Sequence, residues 1–420
     1  MPIGRTDGST SISEERQLAD FLKNKSARHV AVSDESHVGK TVTNAKGAFR
    51  FPSDGTIKSD YGMFQPRFGF SYDVNGDATQ WVRGSAGLYY ARIPGLNLAS
   101  IRSTNGSVGQ TIFRNSALTG ILGAPPKYDQ LLPAPSGTPW GPDVFVMDEN
   151  FRNPRTMSAS LAYEKQLDHG LSATVTYNWS KTDFLTRFVN RNDGAFGNPW
   201  STGLAGGNGI TTLTTVEATA KSQFNGVTFG LARVKGERLT FDANYTLAFD
   251  KSDDDNERDP FTFTYAKADR LDREWGYSNR DQRHRFNLSA LTKGPMGTIL
   301  NGRFSYLSAT PVSEKCGAGS KGSGERAASP SDRICADGTI LQRNTLRRDN
   351  EYASFDLKIT RLLPSVGGHR PEAVVEVFNV LGRNNFRDPS TNSLLFNFDG
   401  TIRSGLGDPR QIQAGVRWEF

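Results

Sequence analysis

Residues 171–180 read LSATVTYNWS, and apolar and polar side chains alternate through them without a break. The even positions carry small polar residues. The odd positions are Leu171, Ala173, Val175, Tyr177 and Trp179. Because successive side chains of a β-strand point to opposite faces of its sheet, this period of two predicts a strand with one apolar and one polar face.

The same alternation recurs along the chain and predicts about eleven strands. The other ten segments are 63–73, 81–93, 156–167, 224–234, 238–250, 283–293, 298–309, 351–363, 372–381 and 411–420. In 372–381 the adjacent Val374 and Val375 interrupt the pattern and leave its facing open. Most segments have roughly the 9–11 residues with which a tilted strand crosses a bilayer.

The connections between these segments alternate in length. Short turns are predicted at 74–80, 168–170, 235–237, 294–297 and 364–371. Long segments rich in Gly, Pro, Asn, Asp and Ser fill 94–155, 182–222, 251–281, 310–350 and 382–410. Short periplasmic turns and long extracellular loops are typical of transmembrane β-barrels, whereas compact soluble domains rarely carry so many long loops. The predicted fold is therefore all-β, a partial antiparallel transmembrane β-barrel of about eleven strands.

A soluble β-sandwich is the alternative, since its strands also alternate. Aromatic residues near the strand ends favour the barrel, in which they form a girdle at the membrane interface. They are Tyr89, Tyr90, Tyr177, Trp179, Tyr306, Trp418 and Phe420. One segment, 14–24, has the composition of a short helix.

Composition excludes several other classes. The 420 residues contain no apolar run of 18 or more, so no helical membrane span is predicted. The formal charge is only +6 and no run of Lys and Arg occurs, so no nucleic-acid partner is expected. The N-terminus lacks the apolar core of a signal peptide.

The two cysteines, Cys316 and Cys335, flank a polar stretch rich in Gly and Ser. The sequence favours a disulfide formed in an oxidising compartment over two free thiols. In the chain-entropy model such a bond contributes about 3 kcal/mol.

No constellation predicts an enzyme, a metal site or a cofactor. The acidic segment 250–259 lacks the glycine and final glutamate of an EF-hand, and a solvated loop is favoured over a calcium site. His169 and His284 have no partner at metal-ligand spacing, and GAGSKGSG (317–324) lacks the Lys-Ser/Thr ending of a phosphate loop.

Several stretches resemble the barrel of Oar-like TonB-dependent receptors, whose full members carry a carboxypeptidase-regulatory-like domain. The matching stretches are FQPRFGFSYDVNGDATQWVRGSAGLYYARIP (64–94), NPRTMSASLAYEKQL (153–167), NRDQRHRFNLSA (279–290), FDLKITRLL (355–363), EVFNVLGRNNF (376–386) and DPRQIQAGVRWEF (408–420). The ending also resembles the assembly signal read by the barrel-insertion machinery, with matches at Ile412, Val416, Trp418 and Phe420.

The resemblance implies an outer-membrane location in a Gram-negative envelope and uptake driven by the TonB system. It implies the C-terminal half of a barrel of about 22 strands, with residues 1–60 a poorly ordered extension and 61–420 the barrel part. The N-terminal half, its plug and the TonB box are not found in this chain, which is expected to come from a split, truncated or misannotated gene, and without them no TonB-coupled transport is expected. The substrate stays unknown. An outer-membrane surface binding or adhesion protein without transport is the alternative.

Charged residues on the predicted polar faces would line the lumen. They are Arg67, Arg83, Arg233, Asp242, Arg303, Asp356, Arg417 and Glu419. They form either a positive pathway for an anionic substrate or ion pairs with one another, and ion pairs are favoured because enclosed charges need partners.

Overall fold

The computed structural model describes residues 37–57, 60–103, 143–201, 209–234, 238–255, 265–347, 351–365, 370–383 and 409–418, together with residues 236 and 385. Its strands, in chain order, are β1 (Thr41–Asn44), β2 (Gly47–Arg50), β3 (Arg67–Asp73), β4 (Gln80–Tyr90), β5 (Asp143–Met147), β6 (Arg155–Gln166), β7 (Leu171–Asn190), β8 (Thr212–Arg233), β9 (Leu239–Ser252), β10 (Gly276–Tyr277), β11 (His284–Lys293), β12 (Thr298–Leu307), β13 (Pro311–Val312), β14 (Glu314–Cys316), β15 (Gly322–Arg326), β16 (Leu346–Arg347), β17 (Tyr352–Leu362), β18 (Glu372–Phe378) and β19 (Gln411–Arg417).

One large sheet dominates the structure. Its strands follow one another in the order β19-β18-β17-β12-β11-β9-β8-β7-β6-β4-β3, and β5 and β10 add to β8 and β9. These eleven consecutive strands are the eleven that the alternation predicts. Along this path each of the eleven strands is antiparallel to the next, and 3₁₀ turns close two of the short connections, at Asp168–Gly170 and Pro295–Gly297.

The two edges of the sheet run in the same direction. Because neighbours alternate in direction and the path contains eleven strands, β3 and β19 both run toward the short turns. Within the described residues no pairing joins β3 to β19, so the sheet is open. An open edge in lipid leaves backbone groups without hydrogen bonds, so a membrane sheet with this topology requires further strands at both edges.

The pairing register gives the sheet one polar and one apolar face, since directly paired residues of antiparallel strands share a face. One polar row crosses four strands through Asp242, Ser289, Arg303 and Asp356. An apolar row crosses six strands through Phe241, Ala290, Gly302, Leu357, Val377 and Ile412.

The register also settles the facing of β18, which the sequence leaves open. Val374 pairs with Thr360 and Gly415 on the polar face, and Val375 pairs with Ile359 and Ala414 on the apolar face. Val374 is thus an apolar residue on the polar face, which explains the interruption of the alternation.

The two faces make a testable difference between adjacent residues of β9. Ala243 pairs with Leu231 and Leu288 on the apolar face, and Asn244 pairs with Gly230 and Asn287 on the polar face. Both lie near the middle of the strand, which the predicted barrel places near the bilayer centre. We expect Ala243→Arg to lower the free energy of unfolding in lipid by about 2–4 kcal/mol, because it places a charge in hydrocarbon.

Asn244→Arg is the matched control, because the same side chain one residue later points to the polar face. Urea titrations of both variants in lipid vesicles measure the difference. Equal destabilisation of the two variants would contradict the assignment of the faces.

Two strands extend far beyond bilayer length at the long-loop end. β7 has 20 residues and β8 has 22, and they stay paired up to Asn190 and Thr214 after a bulge near Phe184. The prediction that 182–222 is a loop is therefore wrong at 182–190 and 212–222, about half of the segment. At this end β5 pairs in parallel with residues 212–216 of β8.

Two apolar clusters form around the extended strands. The first contains Phe51, Val144, Val146, Trp200, Ile210 and Leu213. The second contains Ile101, Met147, Phe151, Phe188 and Val216. The β1–β2 hairpin and Phe51 attach residues 37–57 to the first cluster, so this part of the predicted 1–60 extension has a packed core instead of poor order.

A helix (Gly95–Ser103) lies in the predicted loop 94–155 and contributes Ile101 to the second cluster. The helix predicted at 14–24 lies outside the described residues. No helix in the described part of the chain is long and apolar enough to cross a membrane.

Candidate ligand-binding surface at the long-loop end

The polar face carries most of the charged residues that the sequence assigns to a lumen. Register places Arg67, Arg83, Asp242, Arg303, Asp356 and Arg417 on it. The partners of these side chains differ from the sequence expectation, which was ion pairs among the eight residues themselves. Arg83 donates to Glu164 at 2.6 Å, and Asp356 accepts from the backbone N–H of Asn379 at 2.8 Å.

Arg233 is an exception. It pairs with Leu171 and Phe241, while Ala232 pairs with Asp242, so Arg233 and Asp242 point to opposite faces. The prediction that Arg233 lines the lumen is wrong. Arg233 is the last residue of β8, where its long side chain can reach the polar boundary from the apolar face. Glu419 lies outside the described residues.

One of the aromatic residues that the sequence assigns to the interfacial girdle, Tyr89, lies on the opposite face. Tyr89 pairs with Thr156 on the polar face, where its ring lies 4.7 Å from the guanidinium carbon of Arg67. The C-terminal strand does present Ile412 and Val416 on the apolar face, and Trp418 is exposed. Phe420 lies outside the described residues.

The described carboxylates of the acidic segment beyond β9, those of Asp253, Asp254 and Asp255, are buried and paired instead of solvated. Asp253 accepts from Arg187 at 2.8 Å, and both side chains are less than a tenth exposed. Asp255 forms an ion pair with Arg343 at 3.3 Å. The hydroxyl of Tyr265 donates to Asp254 at 2.7 Å, and burial raises the pKa of Tyr265 well above its ordinary value. These contacts fix the outer end of β9 to the neighbouring loops.

The two cysteines form a disulfide beside β14 and β15, with their Cα atoms 5.3 Å apart. Arg333, two residues before Cys335, donates to both carboxylate oxygens of Glu274 at 2.5 Å, and both side chains are 1% exposed. This buried ion pair joins segment 316–335, which the disulfide closes, to the loop after β9. Nη2 of Arg333 makes both contacts, and Nη1 donates to the carbonyl of Leu341 at 3.1 Å. Hydrogen bonds between ionised groups such as these are roughly twice as strong as neutral ones.

Two polar clefts open among these loops. One, of about 310 Å³, is lined by Arg92, Thr156, Thr182, Asp254, Asp255 and Arg280. Thr156 and Thr182 pair on the polar face, so this cleft continues that face at its outer end. The other, of about 480 Å³, is lined by Lys46, Asn190, Asp193, Tyr265, Lys267 and Asp269. Both clefts offer charges of both signs, which suits hydrogen bonding to a polar solute.

Among the residues that the structure describes, no three His, Cys, Asp or Glu side chains are grouped to hold an ion. Glu257 and Asp259 of the acidic segment lie outside them.

A family model described as an outer membrane beta barrel domain matches residues 7–308. The chain belongs to this family. The match covers most of the strands that carry the polar and apolar faces. In barrels of this class the apolar face meets lipid, the polar face lines the lumen and the long loops are extracellular.

The solved structures with a similar fold include outer-membrane transporters and import receptors. The outer membrane transporter YddB from Escherichia coli aligns with 84% of this chain and 40% of its own, at 11% identity and a TM-score of 0.50. The FrpB iron transporter from Neisseria meningitidis aligns with 84% and 38%, at 11% identity and 0.45. The ferric-catecholate import receptor Fiu from E. coli K12 aligns with 84% and 34%, at 12% identity and 0.42.

At these identities the likeness concerns the fold alone. The chain spans less than half of each of these transporters. No curated protein matches the chain. Family membership supports an outer-membrane location for the barrel domain.

Sequence reasoning missed the buried charges that organise the extracellular end. Arg187, Glu217, Glu274, Arg333 and Arg343 were not singled out, although each is at least nine-tenths buried. A usable indication existed in β7, where Arg187 stands between apolar residues in FLTRFV and therefore needs a carboxylate partner.

Proposed function

We propose that the chain forms the C-terminal part of the barrel of an Oar-like TonB-dependent receptor and takes part in uptake of a polar solute across the outer membrane. The observation that carries the proposal is the open eleven-strand sheet with a continuous polar face and two edges that run in the same direction. The assignment to the Oar-like subgroup rests on the resemblance of this chain's strands and C-terminal end to that subgroup.

Closure of this sheet requires an odd number of additional antiparallel strands. The strand beside β19 and the strand beside β3 must both run away from the short turns, which an odd number of inserted strands provides. The partners in this proposal are the rest of the receptor, its plug, the TonB system and the barrel-assembly machinery. The cleft that continues the polar face would contact the solute as it enters the lumen.

Uptake by cells that express the complete receptor tests the proposal. Cells with and without an intact TonB protein are compared for depletion of solutes from spent medium. We expect at least one polar solute to be depleted only when both the receptor and TonB are present. A solute that stays bound at the cell surface, equally with and without TonB, would instead favour the surface-binding alternative.

A further inference from the structure

A cluster of cations and aromatic rings lies on the lipid face at the outer end of β9. We call it the basic-aromatic patch; it consists of Lys221, Phe249, Lys251, Trp275, Tyr277, Arg283 and Arg347. Three of its charges surround one ring, with Lys251 Nζ, Arg283 Cζ and Arg347 Cζ at 5.2, 4.8 and 5.0 Å from the centroid of Tyr277. Lys221 Nζ lies 5.2 Å from the ring of Trp275, and Arg283 Cζ lies 4.1 Å from the ring of Phe249.

The patch faces lipid. β10 pairs with β9 so that Tyr277 lies beside Lys251, and Lys251 shares a face with Phe249, Leu247 and Tyr245. Lys221 is exposed, and Lys251, Trp275 and Tyr277 are partly exposed. The side chains of Arg283 and Arg347 are 22% and 24% exposed.

The height of the patch matches the boundary of the membrane. The lipid face of β9 carries six apolar residues, from Leu239 to Phe249, and Lys251 follows them. A strand rises about 3.3 Å per residue, so with a tilt of about 40° this apolar stretch spans roughly 25 Å, the height of the apolar band in such barrels. Lys251 therefore lies at the level of the lipid headgroups of the outer leaflet.

The patch is positively charged as a whole. Asp281, which is 1% exposed, is the carboxylate paired with both Arg283 and Arg347. Four cations against this one paired carboxylate leave an excess of three positive charges. Like charges this close together repel one another, and an anion at the surface would relieve the repulsion.

We infer that the basic-aromatic patch binds the phosphate groups of an outer-leaflet lipid. The occupant must satisfy two surfaces at once, an apolar face that ends at Phe249 and a cationic cluster directly above it. An amphiphile with acyl chains and a phosphorylated headgroup has both, whereas a peptide or a free anion would leave the apolar part uncovered. Arg and Lys recognise phosphate through charge-assisted hydrogen bonds, and aromatic rings anchor at the headgroup level.

The test measures lipid binding by the full chain in detergent micelles. The probe is a bisphosphorylated diglucosamine lipid with its acyl chains, and the reference is the same lipid with both phosphates removed. We expect tight binding of the phosphorylated lipid alone. The variant Lys221→Gln/Lys251→Gln removes two cations that have no part in the buried ion pairs. At about 1 kcal/mol for each cation near an anionic lipid, its affinity should fall by 10- to 30-fold.

The matched control, Lys40→Gln/Lys293→Gln, removes the same charge at exposed positions outside the patch and should bind as the wild type does. Lys40 precedes β1, and Lys293 is the last residue of β11, at the short-turn end. Three results would overturn the inference. They are equal binding of the dephosphorylated lipid, equal loss in the control variant, and complete displacement of the lipid by millimolar inorganic phosphate. The first and third need only the wild-type chain, so misfolding of a variant does not leave the question open.

Discussion

Arg333→Met is expected to loosen the extracellular loops by about 3–5 kcal/mol, because it leaves the carboxylate of Glu274 buried without its partner. Arg333 and Glu274 are each 1% exposed, and Arg333 also donates to the carbonyl of Leu341 at 3.1 Å. The loss should appear as local opening of residues 270–345 in native-state hydrogen exchange, while exchange in the membrane strands stays unchanged.

An exposed ion pair in the same protein provides the control. Arg383 donates to Glu351 at 2.5 Å, but the two side chains are 38% and 47% exposed. Arg383→Met should therefore cost no more than about 1 kcal/mol, since water screens such a pair. If Arg333→Met and Arg383→Met lowered the free energy of local opening by similar amounts, burial of the Glu274–Arg333 pair would not be what holds the disulfide-closed segment 316–335 in place.

Trp200→Ala is expected to detach residues 37–57 from the extended strands. Trp200 is 1% exposed, and its ring lies 5.2 Å from Phe51 and 5.7 Å from His37. Truncation of a buried tryptophan leaves a cavity and costs about 3–5 kcal/mol. We expect the β1–β2 hairpin to become susceptible to protease while the membrane strands remain resistant.

Tyr61→Ala is the control for this result, because Tyr61 follows the same segment but is 88% exposed. Its replacement should change stability by less than about 0.5 kcal/mol. If Trp200→Ala left the hairpin as resistant to protease as Tyr61→Ala does, the first apolar cluster would not be what holds residues 37–57.

The membrane part of the fold could be predicted because each of its strands separates an apolar from a polar face. Where both faces of a strand are buried, that pattern disappears. Val189, Leu213 and Thr215 are all fully buried at the outer ends of β7 and β8, so the alternation stops there and the sequence resembles a loop. The same reason hides β5, which is buried along most of its length.

The candidate site was harder to predict, because it depends on pairings between segments distant in sequence. Arg333 and Glu274 are 59 residues apart, and Arg343 meets Ser252 across 91. Only the folded loops bring them together. The prediction for Arg233 was wrong for a related reason. Its charge suggested the polar face, but its pairing with Phe241 places it on the apolar face.

A cysteine scan of β9 tests the central claim most directly, that one face of the sheet meets lipid and the other meets water. Single cysteines are placed at each position from 240 to 249 in the full chain, whose native cysteines are joined to each other. The chain is reconstituted in phosphatidylcholine bilayers together with the part of the receptor that closes its barrel. A water-soluble maleimide reports lumen exposure, and quenching of an attached dye by a lipid-bound nitroxide reports lipid exposure.

The account predicts maleimide labelling at even positions, including 242 and 244, and lipid quenching at odd positions, including 243 and 245. Labelling that shows no period of two, or that labels the odd positions and leaves the even ones protected, would contradict it.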